Sequence, residues 1–391
     1  MPNNYKKEKW VTIVNRHYPP NPGITGESAW DLSKYLIEKY NIQVQIIHVL
    51  RNDDGGGAVR RPIGKTISVP TLYKGKNESL KSLAGFLDGL FLIIKTLFVK
   101  KGPVICMTSP PLLPFWASIF FGLFRIRWYF WSMDLFPEAF VANGKINNNS
   151  LLYRIIKSIT YRNKPELLIS LGPKQAEHIL ENYKTNPPTT ILPCGVFTDY
   201  EKDTRIPEWK ENDGKIYFGY CGNLGAPHSH EFLKIFIDSF NPDIQHLVLA
   251  VYGPKANDIL EYAKGKPGIT LLKNVPRSQL HYIDIHLVSL LPQFNHIAVP
   301  SKAISSICTG GTVLFYGNEE ADTWFMLQNA SWLIDINKSL KNQLDTFTKN
   351  ISREQVENKK KQSAVLADQL HTMEISSYEV IADYIIRYYQ K

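Results

Sequence analysis

Strand-like and helix-like segments alternate along both halves of the chain. Short apolar runs predict buried strands, and apolar residues spaced three to four apart predict helices. In the first half, the pattern predicts strands at 10–15, 44–49, 67–72, 104–108, 128–132, 167–171 and 190–192, and helices at 28–40, 80–100, 112–124 and 151–162. From Lys215 it predicts strands at 216–220, 247–252, 269–272, 287–291 and 312–316, and helices at 230–240, 257–264 and between Pro300 and Gly310.

This double alternation predicts an α/β protein with two doubly wound, Rossmann-like domains facing each other across a cleft. The polar segment 200–214 is the natural linker, which gives domains at 1–199 and 200–375. Residues 376–391 form a last helix, which needs a surface to cover its apolar positions Val380, Ile381, Tyr384, Ile385 and Tyr388.

The charge of the chain is unevenly distributed. Residues 1–190 contain 25 Lys and Arg and 13 Asp and Glu, a net charge of +12, whereas residues 191–391 contain 20 and 23, a net charge of −3. The basic half is therefore expected to face something anionic, which could be a membrane surface, a phosphorylated substrate or nucleic acid. The four cysteines are scattered without CxxC spacing, which predicts reduced thiols, no zinc site and a cytoplasmic protein.

Two segments of the basic half, 86–99 and 111–124, are strongly apolar and are followed by Lys100-Lys101 and Arg125-Ile126-Arg127. Each is shorter than the roughly 20 residues that span a bilayer. Two interpretations stay open. The segments are buried helices, or they form an interfacial patch with basic flanks at a membrane surface.

A candidate anion site lies between the apolar run 286–292 and the strand 312–316. The helix between them opens at Pro300-Ser301, with Ser301 expected as its N-cap, and carries Lys302 in its first turn. The free amides of a helix N-terminus bind anions, and a lysine there opposes the helix dipole unless an anion is near. A diphosphate would fit this site, while a solvated Lys302 on an ordinary packing helix is the simpler alternative.

Two features of the first half could also serve chemistry. Gly23 and Gly26 follow the first strand and would let the backbone approach a ligand, although the spacing is not GxGxxG and an NAD-type site is weakly supported. Asp134 follows the strand 128–132, where α/β sheets place their active groups. It could accept a proton from an attacking hydroxyl, or it could cap the next helix ahead of Pro137 and Glu138.

Five motifs in order resemble those of glycosyltransferase family 4, within the GT-B fold, and in particular its bacterial capsule, colanic-acid and O-antigen subgroup. They are PPNPGITG at 19–26, DLFPE at 134–138, LPCGV at 192–196, GNLG at 222–225 and the Pro-Ser-Lys helix at 300–310. The resemblance covers nearly the whole chain. It implies that the first domain binds the acceptor, that the second binds a nucleotide sugar, and that the last helix crosses back to the first domain.

The resemblance also implies roles for individual residues. Gly23 and Gly26 would line the cleft. The donor would be bound by Asn223, Gly225, Ser301 and Lys302 at the diphosphate, by Val275 and Arg277 at the base, and by Glu319 and Glu320 at sugar or ribose hydroxyls. The implied reaction is metal-independent sugar transfer with retention of anomeric configuration. No cofactor is expected beyond the donor, with UDP or GDP as its nucleotide.

Several positions depart from the family pattern. Ile297 and Ser305 occupy the places of two glutamates found in many relatives, Asn223 and His228 stand where an Arg…Lys pair is usual, and Met133 replaces a histidine before Asp134. Asp134 is then the first candidate for the catalytic base and His17 the second. A catalytically silent GT-B partner protein and a GT-B sugar-nucleotide epimerase remain alternatives.

The sequence therefore predicts a cytoplasmic transferase that extends a glycan or a lipid-linked acceptor for a bacterial surface polysaccharide. Peripheral contact with the inner leaflet of the membrane is expected from the basic, apolar first half. Nucleic-acid binding is not expected, because aromatic and basic residues do not interleave along one face.

Overall fold

The structure is a computed structural model, and it describes residues 8–21, 23–50, 60–75, 78–196 and 202–390. The polar segment 51–57, which contains three consecutive glycines, lies outside the described residues. The chain forms two compact units, Met1–Cys194 with Glu374–Lys391, and Gly195–Met373. The roles that the sequence assigns to the domains, acceptor binding and donor binding, stay predictions.

Within its described residues, the first unit contains one sheet of seven parallel strands. They are Trp10–Val14 (β1), Gln43–Leu50 (β2), Lys65–Pro70 (β3), Val104–Cys106 (β4), Trp128–Trp131 (β5), Leu167–Ser170 (β6) and Thr189–Ile191 (β7). Their order is β3-β2-β1-β4-β5-β6-β7, so the direction of winding reverses between β1 and β4. At such a reversal the loops beyond the carboxyl ends leave a crevice in which ligands bind.

The helices of the first unit are Ile24–Tyr40 (α1), Glu78–Val99 (α2), Leu113–Leu123 (α3), Glu138–Ala142 (α4), Leu151–Thr160 (α5) and Pro173–Leu180 (α6). The predicted start of α1 at residue 28 is wrong, because the helix begins directly after Gly23 and includes Gly26. Its buried residues Ala29, Leu32 and Leu36 follow the helical spacing read from the sequence. The short helix α6 was not predicted, and α4 was anticipated only as the helix that Asp134 could cap.

The apolar helix α2 has one buried face and one exposed face, so neither predicted interpretation of it holds alone. Its buried side chains include Asp88, Leu92 and Thr96, whereas Leu83 and Phe98 are exposed. Over the described residues, no helix is both long enough and apolar enough to cross a membrane.

The second unit contains, within residues 202–373, one sheet of six parallel strands. They are Ile216–Asn223 (β8), Gln245–Tyr252 (β9), Ile269–Leu271 (β10), Ile285–Ser289 (β11), Thr312–Gly317 (β12) and Ser331–Asp335 (β13). Their order is β10-β9-β8-β11-β12-β13, which reverses between β8 and β11. β8 is longer than predicted because Cys221, Gly222 and Asn223 continue the ladder beside Ala250, Val251 and Tyr252.

The helices of this unit are His230–Ser239 (α7), Ala256–Ala263 (α8), Ser301–Cys308 (α9), Asp322–Leu327 (α10) and Leu340–Asn350 (α11). Phe218, Phe236 and Leu247 belong to its main core, with α7 packed on the sheet. The described part of the predicted linker packs on the same unit, since Asp203 accepts a hydrogen bond of 3.0 Å from the Tyr282 hydroxyl through its carbonyl oxygen. α10, α11 and β13 were not predicted.

The last helix, Arg353–Tyr388 (α12), begins well before the predicted start at residue 376. At its beginning, Arg353 and Lys360 bond the buried carboxylate of Asp284 at 2.8 and 2.5 Å, which ties this part to the second unit. Its last part belongs to the first unit. The predicted apolar face there includes the buried Ile381 and Ile385, but Val380 is 37% exposed and lies off that face.

Candidate functional site

The loops that follow β8 and β11 meet at the reversal point of the second unit. Ile285 and His286 of β11 lie beside Phe218 and Gly219 of β8, and both strands run in the same direction. β8 leads into the loop 222–225, and β11 leads through residues 290–300 to the helix α9. Both loops therefore leave the carboxyl edge of the sheet, where doubly wound folds bind their ligands.

Lys302 reaches back from the first turn of α9 to the end of β8. Its Nζ donates hydrogen bonds to the Tyr220 hydroxyl and, at 3.1 Å, to the carbonyl oxygen of Asn223. The same nitrogen lies 3.9 Å from the centre of the Tyr220 ring. The groups that it contacts are thus neutral, and desolvation lowers the pKa of Lys302 to about 7. An anion bound here would supply the missing negative charge.

Tyr220 and His228 complete the surroundings of this lysine. His228 is buried, and its Nδ1 donates a hydrogen bond of 2.6 Å to the carbonyl oxygen of Ser289. Burial, and after it the charge of Lys302, lowers the pKa of His228 to about 3, so the imidazole is neutral near pH 7. Sequence reasoning missed Tyr220, whose only signal is an aromatic residue near the end of an apolar strand.

The loop 222–225 is shaped by close backbone approaches. Gly253 has a φ of 104°, which favours glycine, and a Cβ there would lie 2.0 Å from Oδ1 of Asn223 and would displace that side chain. Leu224 N–H donates to the carbonyl oxygen of Tyr252 at 2.8 Å, and His228 N–H donates to that of Gly225 at 3.1 Å. These bonds fix the loop, and they leave the Asn223 side chain exposed at the edge of the sheet.

Ser301 is the first residue of α9, and the predicted N-cap role is wrong because Pro300 occupies the cap position. The motif at 192–196 contacts this helix, since a Cβ on Gly195 would lie 2.6 Å from the carbonyl oxygen of Ser301. Ser305, in place of a family glutamate, donates from Oγ to the carbonyl oxygen of Lys302 at 3.1 Å. Ile297, in place of the other, is buried.

The four remaining donor-site candidates differ in their placement. Val275 is buried in a core cluster with Tyr217 and Val248, so only its backbone is available to contact a base, and its predicted place by the base stays a prediction. Arg277 is partly buried at the start of a 3₁₀ helix, Arg277–Tyr282. Glu319 and Glu320 are exposed just after β12, which pairs with β11, and they therefore project from the same edge of the sheet as Lys302.

In the first unit, Gly23 and Gly26 pack directly against His17. A Cβ on Gly23 would lie 2.8 Å from Cγ of His17, and a Cβ on Gly26 would lie 2.9 Å from its carbonyl carbon. Asn15 holds the same loop, donating from Nδ2 to the His17 carbonyl oxygen at 2.8 Å and to Thr25 Oγ1 at 3.0 Å. The structure thus brings His17 and the two glycines together at the carboxyl end of β1.

Asp134 lies beyond the carboxyl end of β5, and its side chain is exposed. Its predicted alternative role as a helix cap is wrong, because α4 begins after Pro137 and is capped without a side-chain hydrogen bond. Desolvation by the surrounding chain raises the pKa of Asp134 to about 6. A carboxylate with this pKa and with access to solvent can accept a proton near neutral pH.

Comparisons with known proteins agree with this architecture. No protein-family model matches the chain. Over 245 residues, it is 24% identical to a Pseudomonas aeruginosa protein named a probable glycosyltransferase, WbjE, and the match covers 58% of this chain and 60% of that protein's length.

Several solved structures share the whole fold, and two of them serve as examples. One is WaaG, a glycosyltransferase involved in lipopolysaccharide biosynthesis, with a TM-score of 0.67, 13% identity, and coverage of 95% of this chain and 99% of WaaG. The other is Anabaena HepE in complex with UDP and glucose, with a TM-score of 0.64, 10% identity, and coverage of 96% of this chain and all of HepE.

These likenesses confirm the predicted GT-B fold, with two parallel sheets that have helices on both sides. They also confirm the resemblance to glycosyltransferases that the five sequence motifs indicated. The capsule and O-antigen subgroup, and the role of each site residue, stay predictions.

Proposed function

We propose that this chain is a glycosyltransferase that takes a sugar from a nucleoside-diphosphate donor bound at the carboxyl edge of the second unit. The observation that carries the proposal is the position of Lys302, an ammonium in the first turn of α9 surrounded by neutral groups at the reversal point of the sheet. A diphosphate fits this position because it would pair with the ammonium and accept hydrogen bonds from helix amides. UDP or GDP is the nucleotide that we expect.

In the proposed reaction, the bond between the anomeric carbon and the diphosphate oxygen breaks while an acceptor oxygen bonds to the same carbon on the same face. The electron pair of the broken bond goes to the diphosphate, whose growing negative charge Lys302 and the first amides of α9 stabilise. These groups can supply that stabilisation without a metal ion. Retention of configuration remains part of the proposal.

The proton of the acceptor hydroxyl needs a base. Asp134 is our first candidate, because its raised pKa of about 6 leaves it ionised but still basic near neutral pH. His17, held by Gly23 and Gly26, is the second candidate. Asn223, Gly225, Ser301 and Arg277, together with Glu319 and Glu320, would contact the donor, and Val275 could take part only through its backbone.

The acceptor that we propose is a glycan or a lipid-linked saccharide of a bacterial surface polysaccharide, extended in the cytoplasm at the inner leaflet. Two similarities support this context. WbjE is a sequence relative named a probable glycosyltransferase, and WaaG, which shares the fold, is involved in lipopolysaccharide biosynthesis.

One observation favours a second candidate function. Ile297 is buried, and Ser305 bonds within its own helix, so neither replaces the carboxylates that many relatives carry at these positions. A catalytically silent GT-B partner protein would tolerate this loss. Such a protein would transfer no sugar from any donor, and the substitution Lys302→Ala would not change its activity.

A thermal-shift screen against UDP-, GDP-, CDP- and ADP-sugars tests the proposal first. A ligand at about 100 times its dissociation constant stabilises the folded state by roughly 2.7 kcal/mol, which is readily seen as a higher melting temperature. Lys302→Ala should abolish the shift, and the exposed Lys264→Ala should keep it. Product analysis with and without an acceptor then separates transfer from epimerisation, and the absence of both from a panel of donors and acceptors would favour the silent protein.

A further inference from the structure

Helix α2 has apolar residues on both of its faces. Its buried face carries Leu92 and Ile93 together with Asp88 and Thr96, of which Asp88 accepts a hydrogen bond of 2.9 Å from Thr71 Oγ1. On the opposite face, Leu83 is 57% exposed and Phe98 is 83% exposed, with Phe91 at 39% between them. A helix that covers a sheet normally exposes polar residues on its outer face, so the apolar side chains on the outer face of α2 are unusual.

The neighbouring helices continue this apolar surface. α3 ends in Leu123 and Phe124, which are 71% and 57% exposed, and α5 exposes Leu151, Leu152 and Ile155 at 73, 57 and 46%. We call the exposed side chains of these three helices the apolar face: Leu83, Phe91, Phe98, Leu123, Phe124, Leu151, Leu152 and Ile155. Contiguous apolar patches on a protein surface mark sites of interaction.

Contacts between the helices show that the three are neighbours on the first unit. Trp116 of α3 donates from Nε1 to the carbonyl oxygen of Phe86 of α2 at 2.9 Å, and their rings lie 4.7 Å apart. Asn163, just after α5, donates from its N–H to Ser118 Oγ of α3 at 3.0 Å. The three helices are therefore packed side by side, with α3 in the middle.

The charges around the apolar face are mostly positive. Segments 78–127 and 145–164, which contain the three helices, hold eleven Lys and Arg and two acidic residues, Glu78 and Asp88. Asp88 is buried and pairs with Arg16, so it does not offset the positive charge of the surface. Lys95 is exposed on α2 between Phe91 and Phe98, Arg125 follows Phe124, and Arg154 is exposed on α5.

We propose that the apolar face is a membrane-docking surface that lies on an anionic phospholipid bilayer. Its apolar side chains enter the boundary between headgroups and acyl chains, and the lysines and arginines contact the phosphates. A second copy of the chain fits less well, because two such faces would bring their positive charges together. This proposal specifies the membrane contact in the proposed function, and its test does not need transferase activity.

Flotation with vesicles tests the proposal. The probes are equimolar phosphatidylglycerol and phosphatidylcholine, and phosphatidylcholine alone. The variant Phe98→Ser/Leu123→Ser/Leu151→Ser removes one exposed side chain from each helix. The matched control, Ile206→Ser/Ile244→Ser/Val365→Ser, removes apolar side chains that are 59, 52 and 55% exposed in the second unit.

We expect the wild type and the control to float with the anionic vesicles, and the triple variant to bind at least about tenfold more weakly because it loses buried apolar area. The double variant Arg125→Glu/Arg154→Glu should bind the anionic vesicles more weakly, with a loss of about fivefold or more for each substituted residue. Neutral vesicles should bind the wild type weakly.

Three results would overturn the inference: no flotation of the wild type, equal flotation of the triple variant, or a lipid-free dimer that the triple variant dissociates. Circular dichroism and melting temperature show whether each variant is folded. The nucleotide-sugar shift of the triple variant separates this inference from the proposed function. If the triple variant keeps its nucleotide-sugar thermal shift but no longer floats with the vesicles, the result supports membrane docking. If the wild type floats but shows no nucleotide-sugar thermal shift, the result contradicts only the proposed transferase function.

Discussion

The ammonium of Lys302 lies over the ring of Tyr220, 3.9 Å from its centre, and also donates a hydrogen bond to the Tyr220 hydroxyl. The ammonium of α9 therefore lies at the carboxyl end of β8, and the hydrogen bonds of its Nζ go to neutral oxygens. Cation–π attraction and neutral hydrogen bonds compensate only part of the loss of hydration, so the pKa falls to about 7.

The first prediction concerns the pH dependence of nucleotide affinity. Because protonated Lys302 is the form that binds an anion, and its pKa without ligand is about 7, the affinity for the matching nucleoside diphosphate should fall as pH rises above 7. The loss can reach about tenfold for each pH unit until the pKa of the bound state is passed. Calorimetric titration from pH 7 to pH 9 measures it. Lys302→Arg should remove this dependence, and an unchanged slope in that variant would show that another group titrates.

A second prediction concerns Asp134. If it accepts the acceptor proton, kcat/KM should rise with pH through about 6, because the carboxylate is the active form. Asp134→Asn should lower the rate by about 10²–10⁴ and should remove this rise. The control is Glu181→Gln, an exposed carboxyl of the same unit. Should Asp134→Asn keep the wild-type profile, His17 would become the first candidate base.

Gly23 gives a third prediction. Gly23→Ala would bring a Cβ to within 2.8 Å of Cγ of His17, so the imidazole must move. Gly144→Ala is the matched control, because Gly144 also has a positive φ but nothing lies within 4 Å of its Cβ position. We expect Gly144→Ala to lower the unfolding free energy by about 1 kcal/mol and to keep the transferase activity, since the only penalty is that of an alanine in a left-handed backbone conformation. Gly23→Ala should cost roughly 2–3 kcal/mol and lower the transfer rate. Equal effects of the two substitutions would argue against the His17 contact.

The fourth prediction concerns the buried carboxylate of Asp284. Burial alone would raise its pKa, but Lys360, the Tyr217 amide and Arg353 hold the pKa below the usual value. Its contribution to stability is therefore complete above about pH 4, the pKa of an unfolded aspartate, and is lost as pH falls below it. Asp284→Asn should lower the unfolding free energy by about 2 kcal/mol at pH 7, since the partly exposed Lys360 and Arg353 lose a buried carboxylate as their charge-assisted hydrogen-bond acceptor.

Urea unfolding at pH 7 and at pH 3 measures this effect. The control is Asp345→Asn, which breaks an exposed pair with Lys341 and should cost less than about 1 kcal/mol. If Asp284→Asn unfolds at the same urea concentration as the wild type, the attachment of α12 to the second unit does not depend on these ion pairs.

The strands were the most predictable part of the fold. Segments such as 167–171 and 247–252 are continuous apolar runs, a pattern typical of strands that are buried on both faces. The observed strands β6 and β9 overlap these two segments. β13 escaped prediction because its burial is incomplete along the strand, with Trp332, Leu333 and Asp335 only partly covered. α12 was predicted too short because its first half is dominated by Lys, Glu and Gln, with few buried positions.

The candidate site was predictable only in outline. Lys302 could be found from its place in the first turn of a helix after a strand. Tyr220, Gly253 and Gly195 could not, because their contacts with Lys302, Asn223 and Ser301 join segments far apart in sequence. The burial of the Val275 side chain could not be predicted either, since a sequence motif does not tell whether a side chain points into the core or towards a ligand.

The end of α12 has a consequence for the order of folding during synthesis. The Tyr389 hydroxyl accepts a hydrogen bond from Trp10 N–H at 2.8 Å and donates one to the Trp10 carbonyl oxygen at 2.9 Å. The strand β1 therefore obtains its full set of partners only after Tyr389 has been synthesised. A stalled or nonsense-truncated chain would expose the surface that Ile381 and Ile385 normally cover, and it would be a natural client for chaperones and proteases.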